Sequence, residues 1–149
     1  MQLPDVKERW TSKINVVTIG ATKDDGGTRT STITVGGQTT LPFLNFEGEL
    51  PNKPVIAGYI ADTPPSWPDT LKSAIGSEIN SPVEWAQKCV EEYKVDLLSM
   101  KLLGADPSGK NATPDECAKA VEDVLKAVGV PLAIWGCGDD AKDAQVLPE

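Results

Sequence analysis

The sequence predicts an α/β protein in which parallel strands alternate with helices. Three apolar runs, which begin near residues 55, 95 and 130, have the continuous hydrophobicity of strands that are covered on both faces. Two helix-start signals separate these runs, because Ser81 and Thr113 are each followed by a proline and then, at the third helical position, by a glutamate. Strand–helix–strand units of this kind form parallel sheets with right-handed crossovers.

Residues 1–54 differ from the rest and are rich in Gly, Thr and Asn. Residues 14–19 and 31–35 predict two antiparallel strands, joined by a polar loop at 20–29. The loop glycines match neither a Walker loop nor a dinucleotide-binding loop, and Asp24-Asp25 lacks the glutamate of a calcium loop. We therefore interpret residues 1–54 as a hairpin-like extension of the domain that follows, not as an independent domain.

Residues 55–149 carry three successive βα units. We predict strands at 55–60, 95–102 and 130–135, and a short helix near 69–75 in addition to the helices that open at Ser81 and Thr113. Gly129 is the expected C-terminal cap of the Thr113 helix, and Asp139 or Asp140 would begin a further helix. Helical spacing predicts two buried faces, which are Ala86, Cys89, Val90 and Tyr93 in the first long helix and Cys117, Val121, Val124 and Val128 in the second.

Three strands are too few to close a barrel. A (β/α)8 TIM barrel needs about 250 residues, whereas an open three-stranded sheet would leave apolar strand edges unpaired. We therefore expect residues 55–149 to be the first part of an incomplete (β/α)8 barrel, in the same domain as the N-terminal hairpin extension.

Composition excludes several classes of function. The 149 residues carry a net charge of −8 and contain no histidine. This charge argues against a nucleic-acid partner, and the absence of histidine excludes a Ser-His-Asp triad and histidine-ligated zinc within this sequence. No apolar run approaches the ~20 residues of a membrane span. Residues 1–9 lack the apolar stretch of a secretory signal, and the three cysteines fit no metal framework, so we expect a cytoplasmic protein with reduced thiols.

The candidate site lies where the predicted strands end. In parallel α/β folds function collects at the carboxyl ends of the strands. Carboxylates at such an edge could hold a hard cation, a pterin ring or the amides of a large cofactor. The alternative is that Asp62 and Asp139 cap turns or helices, and that Cys137 is simply a small residue between glycines. The candidate residues are Asp62, Lys101, Asp106, Gly136, Cys137, Gly138 and Asp139.

The tryptophans are interpreted as packing residues, and Trp67, in a proline-rich loop, is the one that suits an interface. The four positions are Trp10, Trp67, Trp85 and Trp135.

A series of motifs in family order makes the chain resemble the small, delta-type subunit of the corrinoid iron–sulfur protein. This protein belongs to the acetyl-CoA decarbonylase/synthase (CO dehydrogenase/acetyl-CoA synthase) system of anaerobes, which fix carbon by the reductive acetyl-CoA, or Wood–Ljungdahl, pathway. The motifs are Gly20-Ala21-Thr22-Lys23 with Gly26-Gly27-Thr28-Arg29, Thr34-Val35-Gly36-Gly37, Leu41-Pro42-Phe43 with Phe46-Glu47-Gly48, Trp67-Pro68-Asp69, Trp85-Ala86-Gln87-Lys88-Cys89-Val90, Leu102 with Gly104-Ala105-Asp106-Pro107, and Val128-Gly129-Val130-Pro131 leading to Gly136-Cys137-Gly138-Asp139.

The resemblance implies a non-catalytic methyl-carrier subunit and covers only the N-terminal half of the family's barrel, which is related to pterin-binding methyltransferases. It implies a heterodimer with a large subunit that holds the [4Fe–4S] cluster and the corrinoid (cobalamin), so that no metal is bound by this chain. The barrel mouth would cover the corrinoid while a methyl group passes from methyltetrahydrofolate, through a separate methyltransferase, to acetyl-CoA synthase/CO dehydrogenase. From their strand-end positions, we expect the corrinoid to lie against Asp62, Asp106, Cys137, Gly138 and Asp139.

Two other functions fit the residues. One is a stand-alone pterin-dependent methyltransferase or dihydropteroate-synthase-like barrel, in which Asp62, Asp106 and Asp139 would hold the pterin. The other is a scaffold module without cofactor contact. Binding of methyltetrahydrofolate to the isolated chain would favour the first, and copurification with a coloured large partner would favour the corrinoid subunit.

Overall fold

The computed structural model describes residues 11–148, and these form two sheets and four helices. The strands and helices, in chain order, are β1 Val17–Ile19, β2 Ile33–Val35, β3 Ala57–Ala61, α1 Asp69–Ile75, α2 Pro82–Glu91, β4 Leu97–Lys101, α3 Pro114–Ala127, β5 Leu132–Trp135 and α4 Asp140–Val146. Short 3₁₀ turns lie at Pro42–Leu44, Ser77–Asn80 and Leu103–Ala105.

The larger sheet is parallel, as predicted, with β4 between β3 and β5. Ile60 of β3 is opposite Met100 of β4, which in turn is opposite Ile134 of β5. The central strand is buried at Leu97, Leu98 and Met100, as expected of a strand with neighbours on both sides. The core unites these strands with the inner faces of α2 and α3 and includes Ile60, Leu98, Met100, Trp85, Ala86, Cys89, Cys117 and Val124.

Both long helices begin where their capping signals predict. Ser81 accepts a hydrogen bond from the Glu84 N–H at 3.3 Å. Thr113 forms a complete capping box with Glu116, in which each side chain accepts the backbone N–H of the other residue. Because these signals act within a single turn, tertiary context does not override them.

Tyr93 does not belong to the buried face of α2, contrary to prediction. The helix ends at Glu91, and Lys94 takes a left-handed conformation with φ of 55° as the chain turns towards β4. Val95 then occupies the buried position, at 8% exposure, and Tyr93 remains 46% exposed.

Gly129 does not cap α3, which is a second correction. The helix ends at Ala127, and its cap residue Val128 is extended. Gly129 instead makes room for Thr30, because a Cβ on Gly129 would lie 2.6 Å from the Thr30 Oγ1. Its carbonyl accepts hydrogen bonds from the Thr30 N–H at 2.9 Å and the Thr30 hydroxyl at 3.1 Å.

The N-terminal extension contains the predicted antiparallel pair, with strands shorter than expected. Val17 is opposite Val35, and Ile19 is opposite Ile33. The connecting loop is polar but not wholly exposed to solvent, because Arg29 is buried at 9% exposure. Its guanidinium donates hydrogen bonds of 2.7 Å to the carbonyls of Leu125 and Val128. The extension is therefore attached beside the amino end of β5.

The tryptophans only partly follow the packing interpretation. Trp85 is 2% exposed, and its ring lies 5.8 Å from that of Trp67, edge to face. Trp135 is 62% exposed, which corrects the interpretation. It lies on β5, which is an outer strand of the sheet, so no strand covers its far side. Trp10 lies outside the described residues.

Within residues 11–148 the parallel strands form an open sheet and do not close a ring. β3 and β5 are therefore both edge strands and, contrary to the prediction, neither is covered on both faces. Exposed residues are Ala57 and Tyr59 in β3 and Ile134 and Trp135 in β5.

Candidate functional site

The carboxyl ends of the three parallel strands lie side by side. The Asp62 N–H after β3 donates to the Lys101 carbonyl of β4 at 3.2 Å, and the Leu102 N–H donates to the Trp135 carbonyl of β5 at 2.9 Å. The residues just beyond these ends form what we call the carboxyl edge, made of Asp62, Asp106, Gly136, Cys137, Gly138 and Asp139. The sequence-predicted site residues are thus brought to the same side of the sheet.

Asp62 joins the ends of β3 and β4. Its two carboxylate oxygens accept the Gly104 N–H at 2.9 and 3.1 Å. A Cβ on Gly104 would lie 2.6 Å from the Asp62 Oδ2, so glycine permits this close approach. The Thr63 hydroxyl adds a weaker contact at 3.5 Å. Both oxygens of Asp62 are therefore engaged within the chain.

Asp106 organises the turn after β4. Its Oδ1 accepts the Ser108 hydroxyl at 2.6 Å and the Ser108 N–H at 2.8 Å. These bonds, the hydroxyl first, hold the pKa of Asp106 below its ordinary value, because they stabilise the ionised carboxylate. Its carbonyl also accepts the N–H groups of Gly109 and Asn111 at 3.0 Å each. Oδ2 has no hydrogen bond to the described residues, so one oxygen stays open.

Asp139 caps α4, the alternative that the sequence left open. Its Oδ1 accepts the Lys142 N–H at 2.9 Å, and the side chain is exposed. An N-terminal cap satisfies one of the free N–H groups of the first helical turn. The second oxygen makes no hydrogen bond within residues 11–148 and faces solvent.

Cys137 and Gly138 are held by Asp143, which the sequence analysis missed. Asp143 Oδ1 accepts the Cys137 N–H at 2.8 Å and the Cys137 thiol at 3.1 Å, and Oδ2 accepts the Gly138 N–H at 2.9 Å. A Cβ on Gly136 would overlap the Asp143 carboxyl group. The available signal was an acidic residue in the first turn of a helix that follows a Gly-x-Gly loop.

Comparison with known proteins shows which family the chain belongs to. The family described as the CO dehydrogenase/acetyl-CoA synthase delta subunit matches residues 16–149. The chain belongs to this delta-subunit family. The resemblance that the sequence motifs carry is thereby confirmed.

Three similar proteins are named as delta subunits of the acetyl-CoA decarbonylase/synthase complex. The chain is 38% identical to the acetyl-CoA decarbonylase/synthase complex subunit delta of Archaeoglobus fulgidus, over 95% of this chain and 31% of the relative. It is 39% identical to subunit delta 1 of Methanosarcina thermophila, over 93% of this chain and 31% of the relative. For the delta subunit of Methanocaldococcus jannaschii the identity is 38%, over 94% of this chain and 34% of the relative. The chain therefore spans about a third of the length of these curated relatives.

The carboxyl edge of this delta-family chain is acidic, and two cations lie beside it. Lys101 ends β4, and Lys142 of α4 donates a hydrogen bond to Asn111 in the turn after β4. Burial raises the pKa of the Cys137 thiol, and the Asp143 carboxylate raises it further. The hydrogen bond from Cys137 lowers the pKa of Asp143, against burial, and the charge of Lys101 assists. Burial raises the pKa of Tyr59, and the charge of Asp62 adds to this shift. Negative charge at this edge thus disfavours the ionisation of its neutral acids.

Over the part of the chain that the structure describes, no three His, Cys, Asp or Glu side chains are grouped as a metal site would require. In that same part, none of the helices has the length and apolar character that crossing a bilayer demands. All three cysteines are unpaired.

Proposed function

We propose that this chain is the first arc of a (β/α)8 barrel in a delta subunit, and that its carboxyl edge covers the corrinoid of a large corrinoid iron–sulfur subunit. When bound, the corrinoid supplies the methyl-carrying chemistry between a methyltetrahydrofolate methyltransferase and acetyl-CoA synthase/CO dehydrogenase, and the [4Fe–4S] cluster belongs to the large subunit. The chain itself is a non-catalytic subunit that acts in the cytoplasm.

The uncovered side of β5 supports the barrel. Ile134 and Trp135 are 44% and 62% exposed, and Leu147, beyond α4, is 49% exposed. A groove of about 520 Å³ between α3, α4 and β5 is lined mainly by apolar side chains, among them Val121 and Leu125, with Glu122 as the charged exception. Exposed apolar strand edges are avoided in isolated proteins, so this side suits a further strand and helix. The relatives extend well beyond the matched part, which provides chain for those elements.

This barrel proposal divides the chain into two parts of one domain. Residues 55–149 would form the barrel part, and residues 1–54 the hairpin extension of the same domain. The described part of the extension is attached through Arg29 and Thr30 beside the amino end of β5, away from the carboxyl edge. It would therefore close the lower end of the barrel and leave the opposite edge free for the partner.

The donor set of the carboxyl edge fits the periphery of a corrinoid. A corrin ring carries amide side chains, whose N–H groups pair with carboxylate oxygens. Asp106 and Asp139 each have one oxygen without a hydrogen bond to the described residues, and this is the observation that carries the proposal. Asp62, Cys137 and Gly138 already use their polar atoms within the chain, so they would shape the contact surface.

Covering the corrinoid would exclude water. A strongly reducing metal centre undergoes side reactions with solvent, and an enclosed site limits them. The residues of this chain contribute binding and shielding. Nucleophiles and metal ligands would come from the partner and from the methyltransferase.

The proposal is tested in the complete complex of the delta subunit with its corrinoid partner. Asp106→Ala and Asp139→Ala together are expected to weaken corrinoid retention on gel filtration by about a hundredfold or more, because two hydrogen bonds to charged groups are lost. Asp24→Ala, on an exposed loop far along the chain, is the matched control. Unchanged retention and methyl-transfer rate in the double variant would overturn the proposed contact.

A second measurement separates the alternatives. The isolated chain is incubated with tritiated methyltetrahydrofolate, and we expect no binding without the partner. Saturable binding to the isolated chain would overturn the subunit proposal and favour a stand-alone pterin enzyme.

A further inference from the structure

Asp143 has no role in the proposed cover, yet both of its carboxylate oxygens accept hydrogen bonds from the carboxyl edge. Its two oxygens accept the Cys137 N–H, the Cys137 thiol and the Gly138 N–H, at 2.8, 3.1 and 2.9 Å. Gly136 completes the arrangement, because any side chain there would overlap the carboxyl group. The backbone of residues 136–138 thus surrounds the Asp143 carboxylate.

The direction of the sulfur contact has a chemical consequence. An ionised carboxylate has no proton to give, so the Cys137 thiol is the donor and Asp143 is the acceptor. Removing the thiol proton would place two negative charges at the two ends of a 3.1 Å contact. Such like-charge pairs disfavour ionisation.

The other charged groups at this edge are mostly acidic. Asp106 lies near enough to Cys137 to disfavour its ionisation, and the Asp139 N–H is the one contact that favours it. Lys101 acts on Asp143 and stabilises the acceptor. In the first turn of α4 lie Asp140 and also the cation Lys142, whose ammonium donates to Asn111 in the turn after β4. The surroundings taken together keep the proton on sulfur and the charge on Asp143.

We propose that Asp143 is a positioning residue that holds Cys137 as a neutral, hydrogen-bond-donating thiol at the carboxyl edge. A thiolate is a nucleophile and a soft metal ligand, whereas the thiol is neither. The edge therefore presents no reactive sulfur to a molecule that docks there. The effect of this neutral thiol on methyl transfer rests on the proposed function. The state of the thiol is independent of it and is tested without a partner.

The test is the rate of alkylation by iodoacetamide as a function of pH, measured on the complete chain. Cys89 and Cys117 are 3% and 1% exposed, so the fast reaction reports Cys137. Cys137→Ser should abolish that fast reaction. The wild-type midpoint is expected above the ordinary thiol value of about 8.5. A wild-type midpoint at or below that value overturns the proposal, whatever any variant does.

Asp143→Asn removes the negative charge and one of the two acceptor oxygens. The remaining amide oxygen can still accept from Cys137, while the charge and the acceptor of the Gly138 N–H are lost, so the midpoint should fall by about one unit. The rate at pH 8 should then rise about threefold to tenfold, while the plateau rate at high pH stays the same. Asp140→Asn, which removes the same charge from the same helical turn, is the control and should move the midpoint less. An unchanged midpoint in Asp143→Asn, or a rise confined to the plateau, would overturn the proposal.

Discussion

The guanidinium of Arg29 donates a hydrogen bond to the carbonyl of Val128 at 2.7 Å, between residues 99 positions apart. Together with its bond to Leu125, this contact satisfies carbonyls at the C-terminal end of α3, which have no partner within the helix. The positive charge also lies at the negative end of the helix dipole. The N-terminal extension is therefore joined to the parallel sheet at the end opposite the carboxyl edge.

Arg29→Met should lower the free energy of unfolding by about 2–3 kcal/mol, because charge-assisted hydrogen bonds to the buried Val128 carbonyl and the partly buried Leu125 carbonyl are lost. Urea denaturation followed by circular dichroism measures the change. Lys23→Met, at an exposed position of the same loop, is the control and should change the free energy by less than about 0.5 kcal/mol. Equal stabilities for the two variants would show that Arg29 does not hold the extension in place.

Gly136→Ala should destabilise the chain, because the added methyl group overlaps the Asp143 carboxyl group. Overpacking of this kind costs about 1–3 kcal/mol. Gly109→Ala is the matched control, since its nearest neighbour beyond the adjacent residues would lie 3.7 Å from the new methyl group. Adding Asp143→Ala to Gly136→Ala should recover part of the loss, which a double-mutant cycle in urea measures. Additive losses would contradict the proposed clash.

Asp62→Ala should cost about 1–3 kcal/mol, because the buried Gly104 N–H loses its acceptor. Hydrogen exchange of that amide, followed by NMR, should accelerate more than exchange within α3. The control is Asp24→Ala at an exposed loop position. If the Gly104 amide stays as protected as in the wild type, the carboxylate does not join the two strand ends.

Stability should depend on pH through Asp143, whose pKa is lowered chiefly by the hydrogen bond from Cys137. A lowered pKa in the folded state means that the ionised carboxylate stabilises the fold above the ordinary Asp value of about 3.9. This contribution is lost as the pH falls through the lowered folded value. The difference in unfolding free energy between wild type and Asp143→Asn should be largest near neutral pH and should shrink in acid. A difference that stays constant down to the acid range would contradict the assigned contacts.

Local chemistry accounts for what the sequence predicted correctly. Ser81 and Thr113 mark the helix starts because each cap acts within one turn. The apolar runs mark the parallel strands, and in the central strand β4 the continuous hydrophobicity reflects burial on both faces. The carboxyl edge followed from the topology alone.

Long-range packing accounts for the errors. Gly129 looked like a helix cap, but its lack of a side chain serves the contact with Thr30. Arg29 looked like a loop residue because its partners lie far along the chain. Asp143 was missed for a related reason, since its role depends on how the loop before α4 folds back on it. Trp135 is exposed because β5 is an edge strand.

Hydrogen exchange in the complex of the delta subunit with its large corrinoid partner tests the central claim most directly. Exchange is compared with and without bound corrinoid, at the loops 102–112 and 136–139 and at the control segment 20–31. If the carboxyl edge covers the corrinoid, hydrogen exchange should be slower at both loops when the corrinoid is present and unchanged at the control segment. Protection of 20–31 alone, or no protection anywhere, would contradict it.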